Sequence, residues 1–99
     1  MLPVKEATQR AIEFARTVLD PSRISGLRLE EVEMVKTEQG AAWLITLSML
    51  QPPASAGAAL GDTLDRVFGV GPREYKTFTV HGDTGEVLSM KIRELAGVQ

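Results

Sequence analysis

Hydrophobic residues at the start of the chain recur at helical spacing. Between residues 3 and 19, apolar positions follow at intervals of three and four, and polar residues occupy the opposite side. This period is typical of an amphipathic helix with one buried face. Pro3 suits the first helical position, and the helix is expected to end at Asp20-Pro21, because a residue before proline avoids the α region. The apolar side is rich in alanine, which predicts close packing against a flat surface such as a sheet.

The rest of the chain alternates with the period of two that is typical of strands. We predict strands at about 27–36, 41–50, 74–81 and 86–94. In the first of these, the apolar positions change parity at Glu30-Glu31, which predicts a β-bulge. Gly40 and Gly85 are expected to adopt positive φ in the turns that follow the first and third strands.

Residues 51–73 interrupt the alternation. Pro52-Pro53 ends the second strand, and a run of alanine, serine and glycine follows. The pattern indicates a long loop with a short helix over residues 62–68. Connections of this length are uncommon in compact domains and are usually functional or mobile.

These elements predict one α+β domain over residues 1–99, with the N-terminal helix on one face of a four-stranded antiparallel sheet. The element order is α-β-β-(short α or loop)-β-β. The face covered by the helix is expected to carry Trp43, Ile45, Leu47, Phe78, Val80, Leu88, Met90 and Ile92. The other face is expected to be open and to carry Thr46, Ser48, Tyr75, Thr77, Thr79, Ser89 and Lys91.

Composition narrows the classes of function. The chain has 99 residues, a net charge of -2, no cysteine and one histidine. The charge disfavours a nucleic-acid partner, and the lack of cysteine excludes disulfides and thiolate chemistry. The N-terminal residues lack the apolar stretch of a signal peptide or membrane span, so we expect a cytoplasmic protein with no membrane partner.

Few residues suggest chemistry. His81 lies beside a predicted turn, where a solvated histidine is a better interpretation than a general base. The acidic run Glu30, Glu31 and Glu33 has the oxygen ligands of a cation site, but it is more typical of a charged edge strand that resists aggregation. We therefore predict no catalytic residue, no metal and no cofactor.

Two further patterns suggest a binding site, but each has a better explanation. The glycines of residues 57–71 lack the Gly-Lys-Ser/Thr ending of a phosphate-binding loop and are better interpreted as flexible loop. One open face of the sheet could carry Lys76, Lys91, Arg93 and Tyr75. Such a face would resemble a surface that stacks single-stranded bases. One aromatic residue and no basic excess argue against RNA binding.

Three segments resemble a known fold group. They are the strand entry at Gly40 and Trp43, the strand Tyr75-Lys76-Thr77-Phe78-Thr79-Val80, and the hairpin Asp83-Thr84-Gly85-Glu86-Val87-Leu88. Together they resemble the cystatin-like group, nearest to the PepSY-like domains. The hairpin is similar to the D-x-x-T-G-E-V-L type of those domains, although Thr84 here follows Asp83 directly. The resemblance implies a helix followed by an antiparallel meander.

The sequence thus predicts a non-catalytic protein-interaction module. The expected partner is another protein or a second copy, giving a homodimer through the open sheet face or an edge strand. The candidate surface consists of Glu31, Glu33, Thr46, Ser48, Asp62, Asp65, Tyr75, Thr77, Thr79, Ser89 and Lys91. The alternative is a small-ligand or enzymatic domain with a pocket between the helix, the sheet and residues 51–73. That pocket would be lined by Trp43, Phe68 and Tyr75, with His81 near its mouth.

Overall fold

A computed structural model describes residues 1–51 and 72–93 of the chain. One helix packs against a four-stranded antiparallel sheet of order β1-β2-β3-β4, which confirms the predicted α+β class. The elements are α1 (Val4–Val18), a 3₁₀ turn (Pro21–Arg23), β1 (Arg28–Thr37), β2 (Gly40–Leu50), β3 (Arg73–His81) and β4 (Val87–Arg93). The short helix predicted at residues 62–68 lies outside the described residues.

The alanine stripe of α1 lies against the sheet as predicted. Ala7, Ala11 and Ala15 are completely buried. Their small side chains let the helix backbone approach the sheet closely, while Phe14 meets Phe78 edge-on with ring centroids 6.2 Å apart. Pro3, expected as the first helical residue, is instead the N-cap: its ψ of 151° is extended, and its carbonyl accepts the Ala7 N–H.

The side of the sheet that faces α1 is called the helix side, and the opposite side is called the far side. The helix side of β2 and β3 forms the core, in which Ile45 lies opposite Phe78 and Trp43 opposite Val80. In the β1–β2 ladder the register shifts between Leu29 and Glu31, which confirms the predicted bulge. The turn glycines Gly40 and Gly85 have φ of 112° and 77°, also as predicted.

A second irregularity corrects the predicted core. Thr79 lies opposite Ser89, but Val80 lies opposite Val87, so Leu88 is an extra residue on β4. The extra residue reverses the alternation, and Val87 rather than Leu88 packs against the core. Ile92 was also expected in the covered face, but 74% of it is exposed.

The helix is too narrow to cover the whole sheet. Four strands at a spacing of about 4.8 Å span roughly 14 Å between the outer strand axes, whereas a helix with its side chains is about 10 Å wide. The contacts of α1 lie mainly on β2, β3 and β4. On the helix side of β1, Leu29 and Met34 are therefore 46% and 52% exposed.

An ionic cluster lies on the helix side of β3, near the end of α1. Arg23 donates two hydrogen bonds to the Glu74 carboxylate, at 2.8 and 3.0 Å, and Lys76 Nζ lies 3.8 Å from Glu74 Oε1. Lys76 is buried and pairs with Leu47 in the ladder. The interpretation that placed Lys76 and Tyr75 on one open face is therefore wrong, because consecutive strand residues face opposite sides.

Candidate interaction surface

An open apolar groove runs between α1 and β1, on the part of the sheet that the helix leaves uncovered. Its volume is about 730 Å³. The floor is formed by β1 and β2, and the wall by the first turns of α1. The lining residues are Val4, Lys5, Thr8, Gln9, Leu29, Val32 and Trp43. These residues are called the groove below.

The groove has one anchored wall. The Trp43 indole N–H donates to the Leu2 carbonyl at 3.1 Å, and the Leu2 N–H donates to the Gly82 carbonyl at 2.6 Å. These bonds hold the start of α1 over the sheet and orient the indole. Because the polar atom of Trp43 is satisfied, the remainder of the ring is free to act as an apolar surface. The groove is thus a preformed apolar channel with polar side chains on its helical wall.

The outer edge of β1 borders this groove. The strand pairs with β2 alone among the described strands, so alternate backbone N–H and C=O groups point away from the sheet. Val32 and Met34 lie on its helix side, opposite Ile45 and Trp43. A chain that paired with β1 would therefore run alongside the groove.

The acidic residues of β1 are largely paired within the chain. The bulge turns both Glu30 and Glu31 to the far side, where Glu30 lies beside Ser48 and Glu31 opposite Thr46. Arg93 of β4 bridges to Glu31. Glu33 is exposed and forms no ion pair with any residue that the structure describes.

A polar network covers one end of the far side, where β1 and β3 begin and β2 ends. Ser48 Oγ donates to Glu30 Oε2 at 2.6 Å, Arg28 Nε donates to the same oxygen at 2.8 Å, and Arg73 Nε donates to Ser48 Oγ at 2.9 Å. The hydrogen bonds from Ser48 and Arg28 hold the pKa of Glu30 below its ordinary value. Burial and the nearby Arg28 lower the pKa of Arg73.

The far side is less open than predicted. Thr46 is 2% exposed and Ser48 is fully buried, so neither is available surface. The reason is that Arg73 of β3 reaches Ser48 and Arg93 of β4 reaches Thr46 across β3. Long side chains from distant parts of the sequence thus cover positions that strand alternation alone leaves open.

The other residues of the predicted surface are dispersed. Glu31, Glu33 and Lys91 are exposed, but Lys91 lies on the opposite edge of the sheet from the two glutamates. Four are half-buried: the Thr77 hydroxyl hydrogen bonds with that of Thr46, Ser89 Oγ donates to Thr79 Oγ1, and Tyr75 lies between Ser48 and Arg93 of the neighbouring strands. Asp62 and Asp65 lie outside the described residues. The structure does not gather these positions into one patch.

His81 has a structural environment. Its Nε2 lies 2.8 Å from the Gln39 carbonyl, and its Nδ1 accepts the backbone N–H groups of Asp83 and Thr84 at 3.1 and 3.2 Å. Nε2 therefore carries the proton and donates to Gln39. Both ring nitrogens hold turns in place, which leaves neither positioned to transfer a proton to a substrate.

The alternative pocket is not formed as predicted. Trp43 lies on the helix side, opposite Val80, whereas Tyr75 lies on the far side, opposite Ser48. The sheet separates the two rings, and Phe68 lies outside the described residues. Within residues 1–51 and 72–93, no three His, Asp or Glu side chains come together as a metal site would require.

The sequence reasoning missed the groove. Two features of the sequence indicated it. Leu29 and Met34 are apolar residues on either side of the bulge, and one helix cannot cover four strands. The missing information was the position of α1, which lies mainly on β2, β3 and β4 and leaves β1 at the uncovered edge.

Comparison of the chain with known proteins identified no relative. No family model matches the chain, and no curated protein or solved structure matches it. The resemblance to cystatin-like and PepSY-like domains therefore stays a prediction. No helix in the described part of the chain has the length and apolar character needed to cross a bilayer.

Proposed function

We propose that the protein is a non-catalytic interaction module that binds an extended polypeptide segment along β1. The observation that carries the proposal is the groove, which lies directly beside the outer edge of β1, where no described strand pairs. The cytoplasmic location expected from the sequence belongs to the same proposal.

Binding would combine two kinds of contact. The incoming segment forms backbone hydrogen bonds with the outer edge of β1, which extends the sheet by one strand. Every second side chain then points to the helix side, where Leu29 and Val32 offer apolar contact. The remaining side chains point to the far side, where Glu33 is exposed and Glu31 is held by Arg93. The preferred ligand thus has an apolar residue at every second position.

The surroundings of His81 support a non-catalytic role. A general base needs a nitrogen free to accept a proton from substrate, and Nδ1 already accepts two backbone N–H groups. The groove itself is lined by apolar side chains, one lysine, one threonine and one glutamine. It offers no carboxylate, histidine or cysteine to a substrate.

Selection from a random peptide library tests the proposal. We expect the immobilised protein to enrich peptides with alternating apolar residues. Leu29→Asp places a charge in the groove at a position that is already 46% exposed, so the fold should persist. The matched control is Ile92→Asp, which adds the same charge to an exposed apolar residue on β4.

The affinities of the selected peptides provide the decisive comparison. Measured by fluorescence anisotropy, binding should weaken by about tenfold or more with Leu29→Asp, since a buried unpaired charge costs more than 1.4 kcal/mol. It should change little with Ile92→Asp. No enrichment, or equal effects of the two substitutions, would contradict the proposal.

A small apolar ligand is a second candidate, favoured by the groove volume. About 730 Å³ lies within the range of small-molecule pockets, roughly 300–1,000 Å³. Trp43 is the only tryptophan of the chain and lines the groove, so its fluorescence reports directly on occupancy. Titration with anilinonaphthalene sulfonate should quench Trp43 saturably and lose this effect with Leu29→Asp. Quenching that persists in that variant, or none at all, would argue against this candidate.

A further inference from the structure

Among the strands that the structure describes, none pairs with the outer edge of the regular part of β1. Edge strands are usually protected by bulges or charges, and β1 has both at its start. The bulge, however, ends at Glu31, and the carboxylates of Glu30 and Glu31 are held by side chains of the same chain. From Glu31 to Thr37 the ladder with β2 has no register shift. This stretch can therefore accept another strand over its whole length.

We infer that this edge pairs with the same edge of a second copy of the chain, in antiparallel orientation about a two-fold axis at Met34. The inference rests on the proposed function and names a partner for the same surface. The axis position follows from the bulge, because only this antiparallel register pairs the whole stretch Glu31–Thr37 with itself. The two sheets then form one continuous sheet with both helices on the same side.

The side chains agree with this register. Residues opposite one another in an antiparallel pair share a side of the sheet. On the helix side, Met34 would meet Met34 of the second copy, and Val32 would meet Lys36. On the far side, Glu31 would face Thr37 and Glu33 would face Val35. No like charges lie directly opposite one another.

Neighbouring registers are less favourable. Moving the axis to Glu33 places that carboxylate opposite its own copy, and moving it to Val32 places Glu31 opposite Glu33 at both ends. Like charges directly opposite each other destabilise a strand pair. Moving the axis to Val35 avoids such pairs but shortens the paired stretch. Charge and length thus select the same axis.

Exposed apolar surface supplies the driving force. Met34 is 52% exposed, although it lies on the helix side among core positions, and it would be buried at the axis. The two grooves would then lie on either side of the paired β1 strands, on the same side of the continuous sheet. The contact is confined to Glu31–Thr37 of each copy, far fewer than the roughly 20–30 residues a side of a standard interface, so we expect a dissociation constant on the order of micromolar rather than nanomolar.

Sedimentation velocity measures the self-association. Between about 1 and 300 µM, the range that brackets a micromolar constant, the wild-type chain should shift from monomer to dimer. Met34→Lys brings two ammonium groups together at the axis and should raise the dissociation constant by about tenfold or more. Ile92→Lys, the matched control on β4, should leave it unchanged. A chain that stays monomeric throughout, or a dimer dissociated by Ile92→Lys instead, would overturn the inference.

Cysteine cross-linking tests the register and does not depend on tolerance of a buried charge. The chain has no cysteine, so each variant carries one thiol. Directly opposed residues lie about 4.5–5.5 Å apart between Cα atoms, within disulfide range. Met34→Cys should therefore oxidise to a covalent dimer faster than Val32→Cys or Ile92→Cys. Equal rates for the three variants would overturn the proposed register.

The two proposals fail separately. Peptides that bind the wild type and not Leu29→Asp, with no self-association, would leave the proposed function standing and remove the second copy as its partner. Leu29 lies before the paired stretch, so a dimer that persists in Leu29→Asp while peptide selection fails would support the inference and contradict binding of other segments in the groove.

Discussion

Replacing Ala11 with leucine should destabilise the protein by about 1–3 kcal/mol, the usual cost of overpacking a full interface. Ala11 is fully buried at the centre of the stripe, and Ala7 and Ala15 on either side are fully buried too, so the larger side chain has no free space along the helix axis. The helix must lift from β2 and β3 or strain its neighbours. Helix propensity barely changes, because alanine and leucine are both strong helix formers.

Urea unfolding followed by Trp43 fluorescence and circular dichroism measures this loss. With a denaturant slope of about 1–1.5 kcal/mol/M, the midpoint should fall by roughly 0.7–3 M. Protein concentration must be fixed, because association stabilises the folded chain. The control is Glu13→Leu, which adds the same side chain on the exposed side of α1 and should change stability by no more than about 0.5 kcal/mol. Equal midpoints for the two variants would refute the close seating of α1 on the sheet.

Four further substitutions test three other contacts. Because the folded-state pKa of Glu30 is lowered, its contribution to stability is present above the ordinary value of 4.5 and is lost as pH falls through the folded pKa; Glu30→Gln should therefore lose less stability on acidification than the wild type, and parallel pH profiles would contradict this. Glu74→Gln should cost about 2 kcal/mol in chemical unfolding because it leaves two cations without their carboxylate, whereas Lys76→Met should be neutral or stabilising; the reverse order would show that the cluster is not held by Glu74. Gly82→Ala should lower stability by about 1–3 kcal/mol, since its Cβ would lie 2.7 Å from the Ala41 carbonyl oxygen, and an unchanged melting temperature would exclude that close approach.

Local patterns predicted much of the fold. The alanine spacing identified the buried side of α1, and the parity change at Glu30-Glu31 identified the bulge. Both features depend only on residues that are close together in the sequence. The bulge at Leu88 carries no such signal. Val87 and Leu88 are both apolar, so either could face the core, and only pairing with β3 decides between them.

The candidate site was less predictable because it depends on distant parts of the chain. The groove arises where the width of α1 falls short of the width of the sheet, and its position depends on which strands α1 covers. Burial of Thr46 likewise depends on Arg93, which is far away in sequence. Alternation assigns a residue to a side of a strand, but it does not reveal which long side chain from another strand lies over it.

The bonds around His81 also have a consequence for folding kinetics. Each hairpin, β1–β2 and β3–β4, closes through a short local turn. Pairing of β2 with β3 must close a much longer loop, and the chain loses that conformational entropy before the strand contacts form. The His81 contact with Gln39 and the Gly82 contact with Ala41 join one hairpin to the other. They can form only after this slow, non-local pairing is complete. We therefore expect the loss of either contact to speed unfolding more than it slows folding.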